Sequence, residues 1–256
     1  MLERIVAHKK REIASLLPQA AALEKKAKSA PRPRDFVASL ASRHPAIIAE
    51  LKRKSPSKGI IREDFDPRAL AQRLSPWAAA FSVLTDEVFF GGNLGYIALA
   101  KEAAPRPVLR KDFILSPVQV YEARAAGADA ILLIARILDP REMRLLAELA
   151  FDLGMAVLLE AHDERDLEMV LDIEGAVLGI NSRNLATFRT DVGKIFSLLP
   201  LIPKDRFVVA ESGISTAEDI QNFLQTGRVG AFLVGEALMR ASDPALALQD
   251  LLKEAT

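Results

Sequence analysis

The stretch AILLIARILDPREMRLLAELAFDLGMAVLLE (residues 130–160) contains the pattern that decides the fold. Its two ends, Ala130–Ile134 and Ala156–Glu160, are short continuous apolar runs, as expected for strands that are buried on both faces of a parallel sheet. Arg141–Leu153 between them is amphipathic with helical spacing, and Asp139-Pro140 before it is a helix start signal. The stretch therefore predicts a β-α-β unit whose parallel strands are joined by a right-handed connection.

The same unit recurs along the whole chain. Six further strands are predicted at Ala46–Leu51, Ala80–Leu84, Val108–Arg110, Val177–Asn181, Phe207–Glu211 and Ala231–Val234. Seven further helices are predicted at Pro67–Leu74, Leu94–Ala103, Val118–Ala126, Glu164–Leu171, Val192–Leu199, Ala217–Gln225 and Pro244–Leu252. Eight such units in series predict an α/β fold of the (β/α)8 TIM-barrel type, and an open doubly wound sheet is the structural alternative.

Residues 1–45 precede the first predicted strand and form an N-terminal extension that we expect to cover the barrel. One face of a predicted helix in this extension is apolar and contains Leu2, Ile5, Val6, Ile13, Leu16 and Leu17. Lys9, Lys10 and Arg11 lie away from that face, so we expect a solvated surface there. A Pro-rich connector, residues 29–34, follows. No low-complexity region divides the chain, which is predicted to be a single domain over residues 1–256.

Composition excludes several classes of function. The chain has 34 basic and 34 acidic residues, so it lacks the basic excess of a nucleic-acid-binding protein. It has no cysteine, and its three histidines show no metal-ligand spacing. No apolar stretch of about 18 residues and no signal peptide are found, so we expect a cytoplasmic protein without membrane contact. We expect no metal, no cofactor, no nucleic-acid partner and a monomeric state.

Polar and charged residues end nearly every predicted strand. In a barrel, the C-terminal ends of the strands and the loops after them carry the functional groups. Glu50 and Lys52 are two residues apart, so a strand points both to the same side. A single lysine or glutamate at such a position is usually a solvated loop residue or a helix cap. The full set at one end of a barrel instead indicates a catalytic site.

The last two loops indicate an anion site. Ser212-Gly213 follows the seventh predicted strand and Gly235 follows the eighth. Their backbone N–H groups and the nearby helix N-termini can bind an anion, and barrels commonly hold a phosphate at this place. The alternative is that both glycines only permit tight turns.

Several of these strand ends resemble those of indole-3-glycerol-phosphate synthases. The matching stretches are residues 50–59, 108–114, 158–162, 179–185 and 210–214, together with the N-terminal helix at 5–12. The resemblance spans nearly the whole chain, and Ser55-Pro-Ser-Lys-Gly59 with Arg110-Lys-Asp-Phe113 is its most specific part. It implies an enzyme that converts 1-(2-carboxyphenylamino)-1-deoxyribulose 5-phosphate, a phosphorylated small molecule, into indole-3-glycerol phosphate, carbon dioxide and water in tryptophan biosynthesis.

The resemblance also implies the catalytic roles. Lys111 matches the general acid of ring closure, and Glu160 matches the base of the later dehydration. Lys52 matches a lysine that pairs with the anionic substrate and is the alternative acid. Glu50 and Asn181 match groups that orient the anilino nitrogen and the hydroxyls.

Substrate contacts follow from the same resemblance. The substrate-binding residues are Arg183, for the carboxylate that is lost, and Ser57, with Phe89, Phe113 and Leu185 forming an apolar slot for the aromatic ring. The phosphate-binding residues are Lys52, Ser212, Gly213, Gly235 and Glu236. Ser212 is also counted among the catalytic residues. Glu236 replaces a serine found in some relatives, so we expect only its backbone N–H to contribute.

Two other functions remain open. Another phosphosugar barrel, such as an isomerase of an aminoketose phosphate, would share the anion site but would not need two lysines and two glutamates at the barrel mouth. A catalytically silent binding barrel would share the fold, and the presence of Lys52, Lys111 and Glu160 together argues against it. Turnover of the carboxyphenylamino substrate distinguishes the three.

Overall fold

The computed structural model describes residues 1–183 and 190–253. Within them, eight parallel strands form a closed barrel in which each strand pairs with its neighbours in sequence and the first pairs with the last. This confirms the predicted (β/α)8 fold and excludes the open sheet. The barrel strands are β1 (Ala46–Leu51), β2 (Ala80–Leu84), β3 (Val108–Lys111), β4 (Ala130–Ile134), β5 (Ala156–Ala161), β6 (Val177–Asn181), β7 (Val208–Glu211) and β8 (Ala231–Val234).

Helices follow the strands and form the outer layer. The described residues contain α1 (Leu2–Leu16), α2 (Ala20–Ser29), α3 (Phe36–Ala41), α4 (Pro67–Leu74), α5 (Glu87–Phe90), α6 (Tyr96–Ala103), α7 (Pro117–Ala125), α8 (Pro140–Asp152), α9 (Glu164–Leu171), α10 (Gly193–Leu198), α11 (Ala217–Leu224), α12 (Glu236–Arg240) and α13 (Pro244–Lys253). The predicted helices agree with these within two residues at each end. The short helices α2, α3, α5 and α12 have no counterpart in the prediction. No helix in the described ranges is long and apolar enough to cross a membrane.

The barrel strands are buried on both faces, which explains their continuous apolar sequences. In β1, Ile47, Ala49 and Leu51 belong to the layer between the strands and the helices. Ala46 and Ile48 belong to the second cluster, inside the barrel. Successive side chains of a strand point to opposite faces, so each strand supplies both layers. All five of these side chains are at most 1% exposed.

The connector and α3 of the N-terminal extension attach to the end of the barrel where the strands begin. Phe36 and Leu40 of α3 join the apolar cluster inside the barrel, and the Ser39 hydroxyl donates to the carbonyl of Ala79, 2.6 Å away. The Arg34 backbone N–H donates to the buried Asp129 carboxylate at 2.7 Å, just before β4. The Pro-rich connector is therefore tied to the barrel by backbone and side-chain hydrogen bonds.

The prediction that the side chain of Lys9 is exposed to solvent is wrong. Lys10 and Arg11 are exposed as predicted, but Lys9 is only 2% exposed. Its ammonium lies 3.0 Å from Asp86 and 2.9 Å from Asp112, in the loops after β2 and β3. A lysine normally keeps its charge in water unless it is paired. Those two carboxylates lie far along the chain, so the helical pattern around Lys9 alone could not indicate them.

Lys9, Asp86, Arg110 and Asp112 form a buried group that we call the anchor cluster. Arg110 contacts Asp112 at 3.1 Å, and Asp112 accepts hydrogen bonds from the Thr85 hydroxyl at 2.5 Å and its neighbour's N–H at 2.8 Å. Burial raises the pKa of Asp112, but Arg110 and Lys9 lower it to about 2. The cluster holds α1 against the two loops that border the barrel mouth.

Candidate active site

A cavity of about 330 Å³ opens at the C-terminal ends of the barrel strands. Eleven of the predicted site residues line it: Glu50, Lys52, Lys111, Phe113, Glu160, Asn181, Arg183, Ser212, Gly213, Gly235 and Glu236. The structure thus brings together residues from both halves of the sequence. Their common position at the ends of the strands is what places them around one space.

Two predicted residues, Ser57 and Phe89, are not part of this lining. Ser57 is exposed in the short hairpin that pairs Lys54–Ser55 with Gly59–Ile60 after β1. Phe89 packs edge-on against His8, with ring centroids 5.7 Å apart, on the side of the extension. Leu185 lies outside the described residues.

The neighbouring Phe90 replaces Phe89 in the apolar part of the cavity. Its ring lies 6.0 Å from that of Phe113, and both line the cavity. The Asp86 side chain caps α5 by accepting from the backbone N–H groups of Phe89 and Phe90, at 2.7 and 3.3 Å. Phe89 and Phe90 are consecutive in this short helix, so their side chains point in different directions. Because the sequence did not predict α5, it could not indicate which of the two faces the cavity.

Lys111 lies between two buried carboxylates. Its ammonium is 2.7 Å from Glu211 and 3.1 Å from Glu160, and these two glutamates are 1% and 2% exposed. Glu50, Lys111, Glu160 and Glu211 come from β1, β3, β5 and β7, as expected because alternate strands of a barrel supply one layer of its interior. With Lys52 they form a group that we call the mouth cluster.

The two carboxylates beside Lys111 have opposite shifts in pKa. Burial would raise the pKa of Glu160, but the charge of Lys111 lowers it below its usual value. Burial raises the pKa of Glu211 to about 8, which Lys111 opposes and Glu160 reinforces. Burial would lower the pKa of Lys111, but Glu211, Glu160 and Glu50 raise it well above its usual range. At neutral pH the trio therefore contains a charged lysine, an ionised Glu160 and a largely protonated Glu211.

Two glycines make room for the buried carboxylates of the mouth cluster. A Cβ at Gly179 would lie 2.1 Å from a carboxylate oxygen of Glu211. A Cβ at Gly235 would lie 2.2 Å from a carboxylate oxygen of Glu50, which forms a close ion pair with Lys52. Gly235 therefore has a steric role that is separate from the anion binding predicted for it.

The far side of the cavity is lined by two arginines and one carboxylate. The Glu236 carboxylate lies 3.3 Å from Arg183 and 3.0 Å from Arg240. Burial would raise its pKa, but Arg240 and Arg183 lower it. Glu236 therefore does present its side chain to the cavity, contrary to the expectation that only its backbone would contribute. Its negative charge is balanced by the two guanidinium groups.

The loop after β7 has an uncommon backbone. Ser212 has φ 64° and Gly213 has φ 78°, both in the left-handed region. The Ser182 hydroxyl donates to the backbone carbonyl of Ser212 at 2.9 Å, which holds the turn in place. A non-glycine residue in this region is uncommon and costs free energy, and such residues often occur at functional sites.

The predicted site residues leave out several residues of the lining, among them Glu211, Phe90 and Arg240. Glu211 ends an apolar strand just as Glu160 does, so the sequence did contain a signal for it. Phe90 and Arg240 carry no such signal, because their inward orientation depends on α5 and α12.

The fold and this cavity together define a (β/α)8-barrel enzyme with an acid–base site. Comparison with known proteins narrows this class. The sequence profile described as indole-3-glycerol phosphate synthase matches residues 2–251, and the chain belongs to that family. An indole-3-glycerol phosphate synthase from Polaromonas sp. strain JS666 is 48% identical, over 98% of this chain and 97% of the relative. One from Acidithiobacillus ferrooxidans is 47% identical, over 98% of each chain.

Solved structures with the same fold are more distant in sequence. A 3-hexulose-6-phosphate synthase from Salmonella typhimurium has a TM-score of 0.66 at 16% identity, over 82% of this chain and 98% of that chain. An orotidine 5'-phosphate decarboxylase from Pyrococcus horikoshii has a TM-score of 0.62 at 12% identity, with the same two coverages. These similarities show the barrel fold alone.

Proposed function

We propose that this protein converts 1-(2-carboxyphenylamino)-1-deoxyribulose 5-phosphate into indole-3-glycerol phosphate, carbon dioxide and water. The observation that carries the proposal is the position of Lys111, a half-buried cation between two buried carboxyl groups, in a cavity that also contains Arg183 and two phenylalanines. Membership of the family indicates the substrate, and the cavity contains groups with the chemistry that this reaction requires.

Ring closure needs an acid at the ketose oxygen. The carboxylated aryl carbon forms a bond to the carbonyl carbon, and Lys111 donates a proton to the oxygen. The raised pKa of Lys111 keeps it protonated at neutral pH, so the acid is loaded before the reaction begins. Carbon dioxide then leaves, and the electron pair of the broken bond returns to the ring.

Dehydration needs a base and completes the indole. Glu160 accepts the proton that is removed from the carbon next to the ring nitrogen and returns it to the departing hydroxyl formed in ring closure, which leaves as water. The lowered pKa of Glu160 keeps it ionised and ready to accept this proton. Glu211 contacts the same ammonium and holds a proton of its own, which it can return to Lys111 after that lysine has donated its proton.

The remaining lining residues suit the two anionic ends of the substrate. Lys52 and the backbone of Ser212, Gly213 and Gly235 face the place where the phosphate is proposed to bind. Arg183 is proposed to bind the carboxylate, in exchange for its contact with Glu236. Phe90 and Phe113 form the apolar wall for the aromatic ring.

A turnover assay with the carboxyphenylamino-deoxyribulose phosphate tests the proposal. We expect indole fluorescence to rise together with the release of one equivalent of carbon dioxide. Isomerisation of an aminoketose phosphate without carbon dioxide would favour the rival enzyme, and binding without any turnover would favour the silent barrel. The expected monomeric state and cytoplasmic location are tested separately by light scattering and by cell fractionation.

A further inference from the structure

His162 is a buried titratable residue that the proposed chemistry does not use. It follows β5 directly and lies two residues after Glu160. Its side chain is 3% exposed and does not line the cavity. Neither ring nitrogen has a hydrogen-bond partner of good geometry among the described residues. A buried imidazole with two open nitrogens calls for an explanation, since buried polar groups are usually satisfied.

The imidazole lies between two carboxylates. Its Nε2 is 3.3 Å from the Oε1 of Glu160, and its Nδ1 is 3.4 Å from the Oδ2 of Asp166 in α9. Asp166 also accepts the backbone N–H of His162 at 2.9 Å and the Nε–H of Arg136 at 3.0 Å. Asp166 therefore fixes the backbone of His162 and lies beside its ring.

The other oxygen of Glu160 faces the reaction. Its Oε2 accepts from Lys111 at 3.1 Å, while Oε1 faces His162. The charged groups on either side of the imidazole are thus Glu160 from β5 and Asp166 from α9. Arg136 and Lys111 each lie one contact further out. These residues form a continuous row from the barrel mouth to the outer helices.

We propose that His162 is a positioning residue that holds the Oε1 of Glu160 and so directs Oε2 towards Lys111 and the substrate. A neutral imidazole has a single N–H and can donate to only one of its two carboxylate neighbours, whereas an imidazolium can donate to both. The contact of Nε2 with Oε1 therefore links the orientation of Glu160 to the hydrogen bond that His162 donates. Burial would raise the pKa of Glu160, but Lys111 and, after it, the neighbouring His162 lower it and so favour the ionised form.

The inference rests on the proposed function, in which Glu160 is the base. Two variants separate its parts: His162→Leu removes both the donor and the charge, and His162→Gln keeps a donor but carries no charge. The kcat, the KM and the pH profile of kcat are measured for both variants with the carboxyphenylamino substrate. Thermal unfolding of each variant reports on folding.

We expect His162→Leu to lower kcat about tenfold with little change in KM, because a poorly positioned Glu160 slows proton transfer but does not weaken substrate binding. Without His162 the pKa of Glu160 rises, so the acidic limb of the profile should move to higher pH. His162→Gln should recover most of kcat, because its amide can still donate to Glu160. It should nevertheless show the same shift of the acidic limb.

Two results would overturn the inference. One is a wild-type pH profile in both variants, and the other is a loss of kcat that accompanies a lower melting temperature with an unmoved acidic limb. If His162→Leu does not fold, the pH profile of kcat for His162→Gln decides whether the inference stands. Glu160→Gln is measured alongside to separate failure of the proposed function from failure of this inference. Near-normal turnover of Glu160→Gln would contradict the role of Glu160 as the base. If Glu160→Gln is inactive while both His162 variants keep the wild-type pH profile, only the inference about His162 is contradicted.

Discussion

The anchor cluster and the mouth cluster lie side by side and are built differently. In the anchor cluster two cations, Lys9 and Arg110, face two buried carboxylates, Asp86 and Asp112. In the mouth cluster two lysines face three buried carboxylates, and Lys111 is shared between two of them. The first arrangement is balanced among its buried members, while the second has one carboxylate in excess.

The difference extends to the pKa of the buried carboxylates, which is lowered at Asp112 and raised at Glu211. Asp112 accepts from Thr85, from Arg110 and from the backbone of Phe113. In the mouth cluster, the pKa of Glu211 is raised to about 8. A charge-balanced cluster fixes a shape, whereas an unbalanced one can gain or lose a proton. Lys111 and Asp112 are consecutive residues, yet one belongs to each cluster.

The largest expected effect is on catalysis, at Lys111. Lys111→Ala should lower kcat by about 10²–10⁴-fold, because a positioned general acid contributes that much. Lys111→Arg should rescue poorly, since arginine keeps the charge but scarcely releases its proton. Steady-state kinetics with circular dichroism as a folding check measure this. Near-normal turnover in Lys111→Ala would transfer the acid role to Lys52.

Glu160→Gln tests the other half of the mouth cluster. It preserves shape and hydrogen bonding but cannot act as a base, so turnover should fall within the same range of about 10²–10⁴-fold. The two variants should stall at different steps. Lys111→Ala should stall before decarboxylation, and Glu160→Gln should stall after it. Single-turnover experiments that trap carbon dioxide and monitor indole separately decide this. Equal loss of both signals in the two variants would contradict the division of roles.

The anchor cluster should instead affect stability. Lys9→Met leaves Asp86 and Asp112 buried without their lysine, and breaking a buried pair costs about 3–5 kcal/mol of unfolding free energy. Denaturant unfolding measures the loss. Lys10→Met on the exposed face of the same helix is the matched control and should change stability by less than about 0.5 kcal/mol. Similar stability of the two variants would show that Lys9 does not anchor the extension.

The error over Lys9 shows where sequence reasoning ends. Strand positions followed from continuous apolar runs, and Lys111 and Glu160 followed from their places at strand ends, because barrel geometry gathers those ends. The burial of Lys9 depends on carboxylates that distant loops supply. The exchange of Phe90 for Phe89 depends on the rotation of a short helix. The local sequence pattern indicates neither the contacts made by distant loops nor the rotation of a short helix.

The two clusters should also respond to pH with opposite signs. The pKa of Glu211 is raised in the folded protein to about 8 from its ordinary 4.5, so its stabilising contribution is complete below about 4.5 and is lost as the pH rises towards 8. The slope is about 1.4 kcal/mol per pH unit between those values. Unfolding free energies of wild type and Glu211→Gln at pH 5 and 8 measure it. Parallel pH dependences in the two proteins would contradict the raised pKa.

Asp112 provides the opposite case. Its pKa falls from 3.8 to about 2 on folding, so its contribution is present above 3.8 and is lost as the pH falls through 2. Over that narrow window the slope is again about 1.4 kcal/mol per pH unit, with the reverse sign. Acid unfolding of wild type and Asp112→Asn should therefore converge at low pH. A difference in stability that stays constant down to pH 2 would count against this assignment.

The smallest effect is expected at the anion loop, where Gly213 borders the cavity. Its φ of 78° is unfavourable for any side chain, and an added Cβ would lie 2.7 Å from Val192 and 2.8 Å from Thr190. Gly227 has a similar φ of 62°, and a Cβ there would meet nothing within 4 Å. Alanine at either position carries the backbone cost of about 1–2 kcal/mol. Only at Gly213 must the loop also move away from its neighbours.

Gly213→Ala should therefore raise KM for the phosphorylated substrate by roughly 5–30-fold if the full backbone cost falls on binding, with a smaller change in kcat. Gly227→Ala should lose a similar amount of stability and leave KM unchanged, because it does not line the cavity. Steady-state kinetics and thermal unfolding of the pair separate strain from anion binding. An unchanged KM in folded Gly213→Ala would mean that this loop does not bind the phosphate, since a ligand seated on the backbone of Gly213 must respond when that backbone is displaced.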